Sequence, residues 1–193
     1  IESPIMKRLY RQQHLVDLMA VVMQFTRIKI KWSFFSDEAP DLKRACWAFP
    51  LAGWLLGFIA GGLGQILILM DLPVILSCAI AISFCIYLSG AYHEDGLADM
   101  ADGFGAGGDG KRISNIIHDS RLGTYGVSAL SLAIIVRILL VSSLVETGLW
   151  LFVIMGSGLA VGKGFVMINR RLFVVSEFAG TATVSFLGSN IRQ

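Results

Sequence analysis

The stretch Gly126-Val127-Ser128-Ala129-Leu130-Ser131-Leu132-Ala133-Ile134-Ile135-Val136-Arg137-Ile138-Leu139-Leu140 contains a single charged residue, Arg137. With its flanks the run reaches the roughly 20 mainly apolar residues that a helix needs to cross a hydrocarbon layer about 30 Å thick. A charge at that depth costs about 2.5–3.5 kcal/mol on insertion scales, so Arg137 is expected to face the bundle interior, against an acid or a substrate. Outward from this run, further apolar stretches fall at about 46–69, about 73–92 and about 149–168, with a weaker one at about 172–187. Glycines 53, 57, 61 and 64 recur near helical spacing in the first of these and would let a second helix approach closely. The expected fold is all-α: a polytopic membrane bundle forming one domain over 1–193, with an acidic, glycine-rich loop.

Composition agrees. Hydrophobic residues make up 55% of the chain and charged ones 16%, and mean hydropathy is +0.69, which leaves too little polar surface for a soluble domain. The net charge of +2 is small and the basic residues lie in short clusters between apolar runs, which argues against nucleic-acid binding. Cys46, Cys78 and Cys85 lie inside apolar runs without metal-ligand spacing and read as packing residues. No cleavable signal is expected at the N-terminus.

Positive charge sets the topology. Lys43 and Arg44 precede the first span, Lys111, Arg112 and Arg121 lie between the second and third, and Arg170 and Arg171 follow the fourth. The alternate turns, Asp71-Leu72-Pro73 and Glu146-Thr147-Gly148, carry no basic residue. Up-and-down threading then puts every basic cluster on one side, the cytoplasmic one, and with it the polar loop 93–123. Residues 1–45, apolar from Leu15 to Phe25 between basic clusters, suit an interfacial helix or a short first span.

That polar loop holds the chemistry. Six acids, Glu94, Asp95, Asp99, Asp102, Asp109 and Asp119, lie where a helix leaves the membrane. On a helix Asp95, Asp99 and Asp102 stand at i, i+4 and i+7 and share a face. Their mutual repulsion calls for raised pKa values or a cation, and an all-oxygen donor set favours a hard ion such as magnesium. Glycines at 96, 103, 105, 107, 108 and 110 expose backbone, and Lys111, Arg112 and Arg121 supply cations, a combination suited to a diphosphate substrate. A solvated acidic loop is the plain alternative. His93 and His118 flank the cluster as bases, phosphate donors or mere boundary residues. Lys163 lies near a span end, where its side chain could snorkel to the interface.

The run Gly90-Ala91-Tyr92-His93-Glu94-Asp95-Gly96-Leu97-Ala98-Asp99-Met100-Ala101-Asp102-Gly103, followed by Asp119-Ser120-Arg121-Leu122-Gly123-Thr124-Tyr125-Gly126, resembles the signature of the cobalamin synthase family. Phe25-Thr26-Arg27 and Phe49-Pro50-Leu51-Ala52-Gly53 match that family in the same order, so the resemblance covers most of 25–145. It implies a bacterial or archaeal inner-membrane enzyme that joins adenosylcobinamide-GDP to alpha-ribazole or its 5′-phosphate, releases GMP and requires Mg2+. Metal ligation is implied for Asp95, Asp99 and Asp102 with Glu94 at their head. Catalytic roles are implied for His93, Asp119 and Arg121, and substrate binding for Lys111, Arg112, Ser120 and Arg137. The partners implied are these small molecules and membrane lipid, with a homo-oligomer left open.

Past about Val145 the chain is expected to follow the family poorly. Members continue through another hydrophobic segment or two, so the chain reads as a C-terminally shortened member. Two competing readings use the same acids. A CDP-alcohol phosphotransferase-like lipid synthase would place arginine after Ala98, where this chain has Asp99. A metal-ion transporter would line a span interior with acids, and not a span end.

Overall fold

A computed structural model describes residues 12–28, 30–119 and 121–172, with side chains up to residue 168. Among these residues there are seven α-helices and no strand: α1 (Gln13–Phe25), α2 (Phe49–Leu69), α3 (Val74–Ser89), α4 (Tyr92–Ala106), α5 (Gly110–Ile117), α6 (Thr124–Glu146) and α7 (Leu151–Leu172). Short 3₁₀ turns occupy Trp32–Phe34 and Arg44–Ala48. Three helices are long and apolar enough to cross a membrane: Arg44–Leu69, Thr124–Glu146 and Leu151–Ile168. They match the expected spans. The remaining expected span, 73–92, is α3 alone and ends at Ser89, three residues early; α3 and α4 pass the same test only together, bent by 88°. The segment 172–187 falls almost wholly outside the described residues.

Two compact units make up the described residues, one from the chain up to Ile59 together with that from Met155 onward, the other Ala60–Ile154. In the first, α1 lays Val21 and Phe25 against Ala45, Cys46, Ala48, Phe49 and Ala52, with Val166 and Met167 of α7 packed on the same cluster. At 13 residues, about 20 Å, α1 is too short to cross a bilayer. Its Asp17 is buried, pairs with Arg44 at 2.9 Å, and accepts hydrogen bonds from Trp47 Nε1 and Gln13 Nε2 at 3.1 Å. Burial alone would raise this carboxyl. The Trp47, Gln13 and Arg44 contacts outweigh it and hold the group below its ordinary value. A depressed folded pKa stabilises above the unfolded value of about 3.9 and the gain disappears as pH falls through the folded value. Thermal unfolding in detergent is therefore expected to lose stability below about pH 4, and Asp17→Asn to flatten that part of the profile.

Close helix contact in this unit depends on two glycines. A methyl group at Gly53 would stand 2.5 Å from the Leu159 carbonyl oxygen, and one at Gly57 would overlap the Met155 carbonyl. The obstacle is backbone, which cannot rotate away. Gly57→Ala is expected to cost about 1–3 kcal/mol in a denaturant titration, whereas Gly62→Ala, with open space around it, costs nothing. Lys163 does not snorkel: it is 3% exposed and its Nζ lies 3.7 Å from the centre of the Phe25 ring. The buried ring face takes the charge that water would otherwise hold. All three cysteines are free and buried, as packing residues should be.

In the second unit α2 ends with Asp71 in the left-handed region, φ 63°, and Leu72 N–H returning to the Leu67 carbonyl at 3.1 Å. α3 ends the same way. Gly90 has φ 68°, and Ala91 N–H reaches the Ile86 carbonyl at 3.0 Å. Ala91 is also left-handed, φ 58°, a conformation that costs an alanine about 1–2 kcal/mol. The two successive left-handed residues turn the chain into α4. α7 begins against the same unit, its Leu151 N–H donating to Gln65 Oε1 at 2.9 Å.

Candidate functional site

Helix α4 is held against α6 by two carboxylates. Glu94, at its start, is buried and pairs with Arg137 Nη1 at 3.0 Å. Asp102, two turns on and also buried, accepts the backbone N–H of Gly123 at 2.7 Å and of Gly126 at 2.8 Å. The second carboxylate thus caps the exposed donors of the α6 N-terminus, where a negative charge also meets the positive end of the helix dipole. Because Glu94 meets residue 137 and Asp102 meets residues 123 and 126, the two helices run antiparallel. Ala98, buried between them at i+4 from Glu94, completes the packed row.

The four carboxylates expected to hold a metal are distributed between two settings by this arrangement. Among the described residues no three His, Cys, Asp or Glu side chains converge as a metal site. One oxygen of Glu94 meets Arg137, and each oxygen of Asp102 accepts a backbone N–H. Arg137 is accordingly an acid partner, one of the two roles open to it, while its side chain stays 43% exposed. Asp95 and Asp99 remain, one turn apart on the flank, neither held by a hydrogen bond or ion pair among the described residues. The charges that act on Asp99 are those of Asp95, Asp102 and His118. Two aligned carboxylates with oxygen-only donors fit an ion that takes one or two carboxylates and completes its shell with water and phosphate oxygens.

On the far side of this strip, α5 packs on α4 with Ile117 against Gly103, where a Cβ would come within 2.6 Å of its side chain. Asp109 caps α5 by accepting the Arg112 N–H at 2.9 Å. Lys111 and Arg112 are exposed on its first turn. His118 follows, its Nδ1 2.7 Å from the Ser114 carbonyl oxygen. A carbonyl can only accept, so Nδ1 carries hydrogen, and in the neutral ring Nε2 is left as the base. His93 instead sits at the outer start of α4, edge-on to Tyr92 at 5.5 Å.

Asp119 and Arg121 form a fork, with Nη2–Oδ2 at 2.6 Å and Nε 3.1 Å from both oxygens. Those contacts hold Asp119 below the usual carboxylate range and raise Arg121 further. Most of the Arg121 side chain remains exposed. Ser120 lies outside the described residues. Reasoning from side chains missed Gly123 and Gly126, which act through backbone. The available signal was a pair of glycines three apart at the head of an apolar run.

The family model described as cobalamin-5-phosphate synthase matches residues 17–188. The match continues well past Val145, so the expected loss of family likeness beyond that point is corrected. An adenosylcobinamide-GDP ribazoletransferase of Azorhizobium caulinodans is 38% identical over 132 residues, 67% of this chain and 50% of that protein. One from Ralstonia pickettii is 35% identical over 153 residues, 79% of this chain and 59% of that protein. The chain spans about half the length of the curated relatives it matches. No solved structure gives a significant match. With a family match over residues 17–188, this integral-membrane chain belongs to the cobalamin-5-phosphate synthase family.

Proposed function

We propose that this chain carries out the transfer named in its relatives, joining adenosylcobinamide-GDP to alpha-ribazole or its 5′-phosphate with release of GMP. The observation that supports it most directly is the α4 clamp: Glu94 and Asp102 fix the helix on α6 and leave Asp95 and Asp99 aligned and without a partner among the described residues. These two would hold Mg2+, which when bound supplies charge neutralisation to the diphosphate. Arg121, its side chain largely exposed beyond the Asp119 contact, takes charge on the departing GMP phosphate, helped by Lys111 or Arg112, exposed on α5. The ribazole hydroxyl attacks the cobinamide-side phosphorus, forming one P–O bond as the bond to GMP breaks. Its proton goes to His118 Nε2, which the Ser114 contact leaves as a lone pair. Asp119 is the weaker base because Arg121 stabilises its ionised form, and His93 points along the outer side of α4. The basic clusters that flank it support an opening of this face toward the cytoplasm, at the inner membrane of a bacterial or archaeal cell.

The test is GMP release by the membrane-inserted chain given adenosylcobinamide-GDP and alpha-ribazole, with and without Mg2+, beside Asp99→Ala. Release that needs both Mg2+ and Asp99 is expected. Release indifferent to Asp99 would remove the acidic strip from the mechanism, and no release from correctly inserted chain would count against the transferase reading.

A further inference from the structure

The outer side of α4 is apolar. At 100° per residue Leu97, Met100 and Phe104 fall within about 60° of one another and roughly opposite Asp95 and Asp99. All three are exposed, by 40, 50 and 62%. Alone, such a strip on an acidic helix would be ambiguous. Two further observations say what covers it. The Glu94–Arg137 pair ties the start of α4 to a residue thirteen positions into α6, about 20 Å along a helix that crosses the membrane. An arginine side chain reaches back toward its helix N-terminus, so Glu94 sits roughly 12 Å beyond the level of Asp102, the rise of eight helical residues. In addition, α3 and α4 reach the length and hydropathy of a broken or re-entrant span only as a pair, bent by 88°.

We propose that α4 is not a surface loop helix but a half-span sunk in the bilayer along the first part of α6, with Leu97, Met100 and Phe104 in contact with lipid acyl chains. On α6, Leu132, Ile135 and Leu139 are exposed too, on the side turned away from Gly126, Arg137 and α4. Asp95 and Asp99 then lie below the membrane surface but shielded from lipid by α4 itself, in the strip between α6 and α5. Carrying four acids along the half-span is tolerable because Glu94 and Asp102 are already paired, and the other two face away from hydrocarbon. The inference rests on the chain being inserted in a membrane and not on which reaction it runs.

Nitroxide labels on single cysteines in reconstituted vesicles, with Cys46, Cys78 and Cys85 replaced by alanine, test it through collision with oxygen against a water-soluble nickel chelate. Leu132→Cys on α6 serves as the lipid reference and Lys111→Cys as the aqueous one. The expected result is an oxygen-to-nickel ratio at Leu97→Cys and Met100→Cys several-fold above that at Lys111→Cys, with depth increasing from Phe104→Cys to Leu97→Cys. Labels at 97 and 100 that behave like Lys111→Cys, while Leu132→Cys stays in lipid, would overturn the half-span. If Leu132→Cys were also aqueous, membrane insertion itself would fail.

Discussion

Replacing Asp102 by alanine is expected to destabilise the chain by about 2–5 kcal/mol, measured by denaturant titration in detergent without divalent metal. The reason is local. Both carboxylate oxygens hold backbone N–H groups of Gly123 and Gly126, and Asp102 is only 8% exposed. Alanine leaves two donors at the α6 N-terminus unpaired, where each orphaned buried group costs about 1–3 kcal/mol. Asp102→Asn keeps one accepting oxygen and is expected to fall between. A carboxylate needed only for metal would behave differently: metal-free stability would be unchanged, and that result would end the capping role assigned here.

The second large effect lies at the other end of α4. Arg137→Leu strands Glu94 in a buried position, and breaking such a pair from one side costs about 3–5 kcal/mol. Changing Glu94 to Gln at the same time removes the stranded charge, so the double variant is expected to be more stable than Arg137→Leu alone. A double-mutant cycle should then give a coupling of about 1–3 kcal/mol. Additive single effects would mean that the 3.0 Å contact contributes nothing to holding α4 on α6.

Much of this was legible from the chain itself, for physical reasons that differ by region. The crossings at Arg44–Leu69, Thr124–Glu146 and Leu151–Ile168 announce themselves because a bilayer demands length and apolarity, which composition records directly. The helical spacing of Asp95, Asp99 and Asp102 is equally plain. Periodicity, however, tells which side chains share a face and not what that face packs against. Hence the spacing of Asp102 and Glu94 does not tell that the one turns toward the α6 N-terminus and the other meets Arg137. The sharp corner was half visible: Gly90 marks a stop, but nothing about an alanine signals that Ala91 also adopts a left-handed conformation. Buried Asp17 was hidden for the opposite reason, since its partner Arg44 lies 27 residues away.

The long reach of the α4 contacts bears on how the chain is made. Glu94 waits for a partner 43 residues further along, and Asp102 for partners 21 and 24 residues on. At about 5–20 residues per second, a ribosome needs some 2–9 s to deliver Arg137 after Glu94 has emerged. During that interval α4 is an acidic segment with no counter-charge and no helix to lean on, and hydrocarbon is closed to it. Its entry is therefore expected to follow the arrival of α6, so that assembly order departs from sequence order at the very element that carries the acids.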